Sequence, residues 1–146
     1  MSELYLIVSI ASRRIAIRAC EVHSVIELDG ITPIPKAPPF VAGLAALRSK
    51  ALTVIDCCRS LELDKGEADS LSNTAVVIEK DEFLYAMLVD RHEDVVHARS
   101  DIVAKDDGYG DRWDLVAQGM IETDLGAALV IDVSGLIAGP DVRRAA

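Results

Sequence analysis

The chain has 146 residues, of which 51% are hydrophobic and 27% charged, and its formal net charge at pH 7 is −9. This length and hydrophobic content predict one globular unit with a substantial core, and they exclude a disordered or low-complexity protein. The acidic balance makes nucleic acid and anionic lipid surfaces poor candidate partners, because both repel a negatively charged protein.

Taken in chain order, short apolar segments predict β-strands, several of them with the alternation of period two that is typical of strands. These segments are Leu4–Ile10, Arg14–Ala19, Leu52–Ile55, Ala75–Ile78, Phe83–Val89 and Ala127–Ile131. The polar run 79–82 predicts a hairpin turn between two of them. Asp56–Leu61 and Asp132–Ile137 predict helical turns that an aspartate opens by capping free amides. The predicted fold class is therefore mainly β, with short helical turns.

The connections between these segments are uneven in composition. Four of the five prolines fall within Ile31–Phe40, which predicts a stiff, extended connector rather than a central strand. Two polar stretches, Leu63–Asn73 and Lys105–Asp111, are expected to form exposed loops. Neither is long enough to separate independent domains, so residues 1–146 are expected to form a single domain.

An internal repeat divides that domain. Val54-Ile55-Asp56 recurs as Val130-Ile131-Asp132, and glycines stand thirteen residues before each aspartate, at positions 43 and 119. The long offset predicts two related β-units packed side by side rather than a solenoid. We place the halves at roughly 12–70 and 71–138, and the strand at 4–10 is a candidate for sharing between them. The tip Leu47–Lys50 is basic where its counterpart, 123–126, is not, so it is the first candidate for a specific surface.

Cysteine usage favours a reducing compartment. The three cysteines, Cys20, Cys57 and Cys58, fit neither a disulfide framework nor a zinc motif. The N-terminus lacks the features of a signal peptide, and no apolar run approaches the length of a membrane span. These features predict a soluble, cytoplasmic protein.

No pattern of catalytic or metal-binding residues stands out. A nucleophile elbow, paired histidine ligands and a phosphate-binding glycine loop are all missing from the sequence. The run Asp106–Asp111 resembles part of a calcium loop but lacks its spacing, and is interpreted as a solvated turn. We expect no enzyme activity, no metal and no cofactor. One alternative of another class stays open, a small thiol-dependent enzyme using Cys57 or Cys58.

The segment 22–50, followed by Leu52–Asp56 and Leu61, resembles the CheW-like domain of bacterial chemotaxis. That family's pattern has a VxxVI stretch, a TPVPxxPxFVxGxxNLRG run and a VPVIDLxxxLG strand and turn. The second half fits through Val89-Asp90, Gly119 and Leu129–Asp132, so the resemblance covers nearly the whole chain. It implies two intertwined five-stranded β-barrels of the SH3-like type.

The resemblance also implies a function. CheW-like proteins are non-enzymatic adaptors that bind the regulatory domain of the histidine kinase CheA and the cytoplasmic tip of methyl-accepting chemoreceptors, which recruits them to membrane-associated arrays. Weak self-association through barrel edges is also possible. By motif, the expected partner-binding residues are Val22, Val25, Gly43, Leu44, Ala46, Leu47, Arg48 and Ser49. The valines could instead simply pack in the core, and Arg48 could be a solvated turn residue.

This chain departs from the family pattern at the candidate surface. Ala46 replaces an asparagine, Ser49 replaces a glycine and Ser24 replaces an acidic residue. A glycine at position 49 would serve a positive φ that serine tolerates poorly, so a differently shaped tip is expected. If the missing carboxylate normally pairs with the arginine, Arg48 needs Glu21 or Glu27 as a substitute. An alternative is therefore a divergent regulator that binds only the kinase or competes with the usual coupler.

Overall fold

The computed structural model describes residues 3–63, 73–104 and 113–139. Within these ranges the chain forms ten strands and two short α-helices, so the mainly β fold class is confirmed. Residues 64–72 and 105–111 of the two predicted loops, including the calcium-like run 106–111, lie outside the described residues. The elements are β1 Leu4–Ile10, β2 Arg13–Arg18, β3 Val22–Glu27, β4 Val41–Leu47, β5 Lys50–Asp56, α1 Cys57–Ser60, β6 Thr74–Lys80, β7 Phe83–Leu88, β8 Arg91–His97, β9 Ala117–Thr123, β10 Gly126–Ile131 and α2 Val133–Ala138.

The strands form two five-stranded sheets with the same internal order. Sheet 1 has the order β8-β1-β2-β10-β9, and sheet 2 has the order β3-β6-β7-β5-β4. In each sheet an antiparallel hairpin, β1–β2 or β6–β7, occupies the middle and pairs in parallel with the strand before the helix. The six strands predicted from the sequence are these inner strands.

The repeat is visible in this arrangement, but its two copies exchange hairpins. The first copy runs from β1 to α1 and the second from β6 to α2, yet β1–β2 lies in the sheet of the second copy and β6–β7 in the sheet of the first. Each sheet therefore takes strands from both predicted halves, 12–70 and 71–138. The strand at 4–10 pairs with β2 of the first half and with β8 of the second half.

The segments that follow β3 and β8, which we call the closing segments, link the two edges of sheet 2 and of sheet 1. After β3, Leu28 donates to the carbonyl of Asn73 beside β6, and Thr32 then exchanges two 2.8 Å hydrogen bonds with Leu44 in β4. After β8, Ala98 bonds to Glu3 and Val103 to Met120 in β9 in the same manner. These crossings give each sheet the curled, barrel-like form expected of the family.

A core shared by both sheets holds the molecule together. Buried side chains from sheet 1, such as Ile15 and Leu129, pack in one cluster with Val76 and Met87 of sheet 2 and with the two helices. Burying an aliphatic side chain of this size stabilises the fold by about 1.5–3 kcal/mol. Smaller clusters fill the interior of each sheet.

The two helical turns begin as predicted. Asp56 accepts a 3.2 Å hydrogen bond from the amide of Arg59, and Asp132 accepts a 3.1 Å bond from the amide of Ser134. The buried hydroxyl of Ser60 in α1 donates a 2.6 Å bond to the carbonyl of Leu136 in α2. The two aspartates therefore serve as helix caps at equivalent places in the repeat.

Candidate partner-binding site

An open groove of about 900 Å³ lies along the free edge of β4. The segment after β3 forms one side and the end of β4 the other. We call this the β4 groove, defined by Ile26, Glu27, Leu28, Asp29, Gly30, Ile31, Thr32, Leu44, Ala45, Ala46, Leu47 and Arg48. Its surface is apolar at Leu44, which is 40% exposed, and at the half-buried Ile26, Ile31 and Leu47.

The tip of the β4–β5 hairpin forms one end of the groove. Arg48 and Ser49 are both exposed and adopt φ angles of +50° and +71°. Two successive residues with positive φ form the two-residue turn that matches the twist of a hairpin. Ser49 therefore adopts the backbone conformation that the glycine was expected to serve, in spite of the strain that a Cβ brings there.

Arg48 is the cationic residue of the β4 groove, which Glu27 and Asp29 also line. Among residues 3–63, 73–104 and 113–139, no ion pair involves this guanidinium. The proposed substitutes do not fill the role, because Glu21 lies 4.0 Å from Arg18 and Glu27 lines the groove without pairing with Arg48. A guanidinium with free donors can hold a carboxylate by two parallel hydrogen bonds.

The structure separates the predicted partner-binding residues into groups. Leu44, Ala46, Leu47 and Arg48 lie together in the groove. Ser49, beside Arg48 in the turn, is exposed.

The two valines lie elsewhere. Val22 and Val25 are half-buried and pack against the core shared by both sheets. Val22 also lines a separate depression with Cys20 and Ser134.

Gly43 is buried where the segment at Ile31 and Thr32 crosses β4. Its φ is +150°, and a Cβ there would collide with the carbonyl oxygen of Thr32. Gly119 holds the equivalent position in β9 with a φ of +147°, and its Cβ would lie 2.8 Å from the carbonyl oxygen of Val103. Both glycines therefore allow the closing segment to cross tightly over an outer strand.

The part of the groove that the sequence analysis missed is the segment after β3. The run 26–32 was divided between a family motif and a proline-rich connector, although Leu28 is anchored beside β6 and Thr32 beside β4. The available signal was Gly43, because a glycine between apolar strand residues indicates the close approach of another backbone.

The thiols that could have served a nucleophilic enzyme are poorly placed for that chemistry. Cys57 and Cys58 are buried, and only Cys20 is exposed. Burial raises the pKa of the Cys57 thiol well above its ordinary value, and the neighbouring Cys58 and Asp56 act in the same direction. A raised pKa suppresses the thiolate that acts as nucleophile.

Two kinds of feature are absent from residues 3–63, 73–104 and 113–139. No group of three histidine, cysteine or carboxylate side chains is placed to hold a metal ion. No helix in those ranges is long and apolar enough to cross a membrane.

Comparison with known proteins identifies the family of this chain. Its fold is similar to the crystal structure of scaffolding protein TtCheW from Thermoanaerobacter tengcongensis, with a TM-score of 0.79 and 22% sequence identity over 93% of this chain and 88% of that one. No curated protein sequence matches it. The family model of the CheW-like domain matches residues 4–140. The chain therefore belongs to the CheW-like domain family, as its motifs predict.

Proposed function

We propose that this protein is a chemotaxis adaptor that couples methyl-accepting chemoreceptors to a CheA-type histidine kinase through non-covalent contacts. Membership of the CheW-like family supports the general role of a chemotaxis scaffold. The proposal adds the two partners, the regulatory domain of the kinase and the cytoplasmic tip of the receptor, and a cytoplasmic location at receptor arrays.

The observation that carries the proposal is the chemistry of the β4 groove. Exposed Leu44 and half-buried Leu47 offer apolar area, and Arg48 offers at the rim a charge that pairs with no carboxylate in the described part of the chain. An apolar centre with an arginine at its edge is typical of protein-binding surfaces. A surface of this kind supports binding to a protein rather than turnover of a small molecule.

The direct test is calorimetric titration of the purified protein with the regulatory domain of a CheA-type kinase from the same organism. We expect binding in the micromolar range, weakened at least about tenfold by Arg48→Ala, because a charged hydrogen-bond pair contributes about 1.5–3 kcal/mol. Arg91→Ala is the matched control, since this arginine is exposed on β8 in the other sheet. Absence of kinase binding by the unmodified protein would overturn the proposal.

A second candidate, a divergent regulator that engages only the kinase, is favoured by one observation. Ser24 replaces the family's acidic residue, its hydroxyl lies 3.3 Å from Nδ1 of His23, and no residue of β3 forms an ion pair with Arg48. A pull-down with the receptor tip separates the two candidates. Loss of receptor binding in Arg48→Ala supports the coupler, whereas kinase binding with no receptor binding supports the divergent regulator.

A further inference from the structure

The two sheets differ at one equivalent place, the outer edge of β4 in sheet 2 and of β9 in sheet 1. The repeat makes Leu44 equivalent to Met120, Ala46 to Glu122 and Arg48 to Asp124, each 76 residues apart. Leu44 and Met120 behave alike, because each exchanges two backbone hydrogen bonds with the closing segment of its own sheet. The next outward-facing residues, Ala46 and Glu122, differ in whether their outward backbone groups are hydrogen-bonded.

In sheet 1 the edge of β9 is fully occupied by the chain itself. The amide of Arg99 donates a 2.7 Å hydrogen bond to the carbonyl of Glu122, and the amide of Glu122 donates a 3.0 Å bond to the hydroxyl of Ser100. The side chain of Arg99 then forms an ion pair with Asp124 in the hairpin turn. The bend at Arg99 and Ser100 thus satisfies both outward backbone groups of Glu122 and the charge at the tip, one of them through the Ser100 side chain.

In sheet 2 the same place is open. Outward backbone groups alternate along an edge strand, so the bonds from Leu44 to Thr32 show that the N–H and C=O of Ala46 also point away from β5. Within the described ranges no backbone hydrogen bond fills that pair. Arg48 stands where Asp124 accepts its ion pair in sheet 1, and it forms no ion pair with Glu27 or Asp29, the two carboxylates that line the same groove.

We propose that the edge of β4 binds an extended acidic segment of a partner protein by strand addition, with backbone hydrogen bonds to Ala46 and a carboxylate on Arg48. Sheet 1 shows that an outward backbone pair and the charge at the tip can be satisfied together, and on β4 a carboxylate of the incoming segment takes the part of the Arg99 guanidinium. The groove of about 900 Å³ has room for several residues, and Leu44 gives the segment an apolar surface to cover. Strand addition of this kind takes its affinity from main-chain hydrogen bonds and its specificity from side chains.

The inference rests on the proposed function for the identity of the partner, but it can be tested without one. The probe is the capped peptide acetyl-Val-Glu-Val-Glu-Val-amide, and the readout is hydrogen exchange of the Ala46 amide resolved by NMR. We expect millimolar peptide to slow this exchange saturably, while the Leu44 amide, already bonded to Thr32, changes little. The lysine analogue, acetyl-Val-Lys-Val-Lys-Val-amide, should bind at least about tenfold more weakly because it places cations beside Arg48.

Two changes isolate the backbone contacts. Ala46→Pro removes only an outward N–H, which edge strands tolerate, and should weaken peptide binding about tenfold, whereas Ala46→Ser should bind as the unmodified protein does. N-methylation of the peptide at its central valine should have the same effect on the unmodified protein, independently of how the proline variant folds. Peptide binding that leaves Ala46 exchange unchanged, or no binding at all, would overturn strand addition. Neither result bears on kinase coupling, because the assay contains no kinase.

Discussion

The β4–β5 turn makes a quantitative prediction about stability. Ser49 adopts a φ of +71°, a left-handed conformation that costs a residue with a Cβ about 1–2 kcal/mol and costs glycine almost nothing. Its side chain is exposed and makes no hydrogen bond among the described residues, so removing it loses little. Ser49→Gly should therefore raise the free energy of unfolding by about 1 kcal/mol, after allowance for the greater freedom of glycine in the unfolded chain.

The assay is urea unfolding followed by circular dichroism, with thermal unfolding as a second readout. For a chain of this size, 1 kcal/mol corresponds to a rise in Tm of about 3 °C. Ser49→Ala is the matched control, because alanine keeps the Cβ and should bring no gain. If the glycine variant is no more stable than the alanine variant, the turn does not hold residue 49 in the left-handed region and the reasoning is refuted.

Three further outcomes follow from the same structure. Gly43→Ala should lower the free energy of unfolding by at least about 2 kcal/mol, because the new Cβ meets a backbone carbonyl. Gly30→Ala is the control and should change it by no more than about 0.5 kcal/mol, because nothing lies within 4 Å of a Cβ there. Equal effects of the two variants in urea unfolding would contradict the packing described. Burial raises the pKa of Glu21 against the opposing effect of Arg18, so the folded state binds its proton more tightly than the unfolded state and loses that advantage as pH rises through the raised pKa. The gain in stability of Glu21→Gln over the unmodified protein should therefore be larger at pH 7 than at pH 4, and the opposite trend would show that Arg18 dominates. A thiol titration of native protein should find one fast-reacting group, the exposed Cys20, and three fast groups would contradict the buried positions of the other two.

The inner strands could be predicted from sequence, and the outer strands could not. Leu4–Ile10 and Ala75–Ile78 are covered on both faces, so their residues form apolar runs that stand out. The strands β3, β4, β8 and β9 lie at sheet edges, where one side meets solvent and the sequence is mixed. The strand Arg91–His97 is the extreme case, with five of its seven residues exposed. This segment forms a strand because it pairs with β1, and its composition alone does not predict one.

The hairpin exchange also lies beyond local sequence information. The repeat is evident in the sequence from Gly43, Gly119 and the two Val-Ile-Asp motifs. The members of each pair lie at equivalent positions of the two sheets. The hairpins β1–β2 and β6–β7 are similar apolar units, so either could complete either sheet on local grounds. Both hairpins contribute side chains to the shared core, which joins residues far apart in the sequence.

The candidate site was predicted in part for a similar reason. The basic tip at Arg48 is evident because it stands out in an acidic chain with a repeat that lacks it. The other side of the groove depends on where residues 28–32 cross from β6 to β4, which is a tertiary feature. Val22 and Val25 belong to a family motif in the sequence, but their half-buried side chains pack against the core rather than in the groove.

The most direct test of the account is an NMR titration of the isotopically labelled protein with the regulatory domain of its kinase, followed by backbone amide shifts. The account predicts the largest changes at residues 26–32 and 44–48, on both sides of the β4 groove, and little change along β9, whose edge the chain itself occupies. Shifts centred on residues 98–103 and 120–124 with none at Arg48 would contradict it.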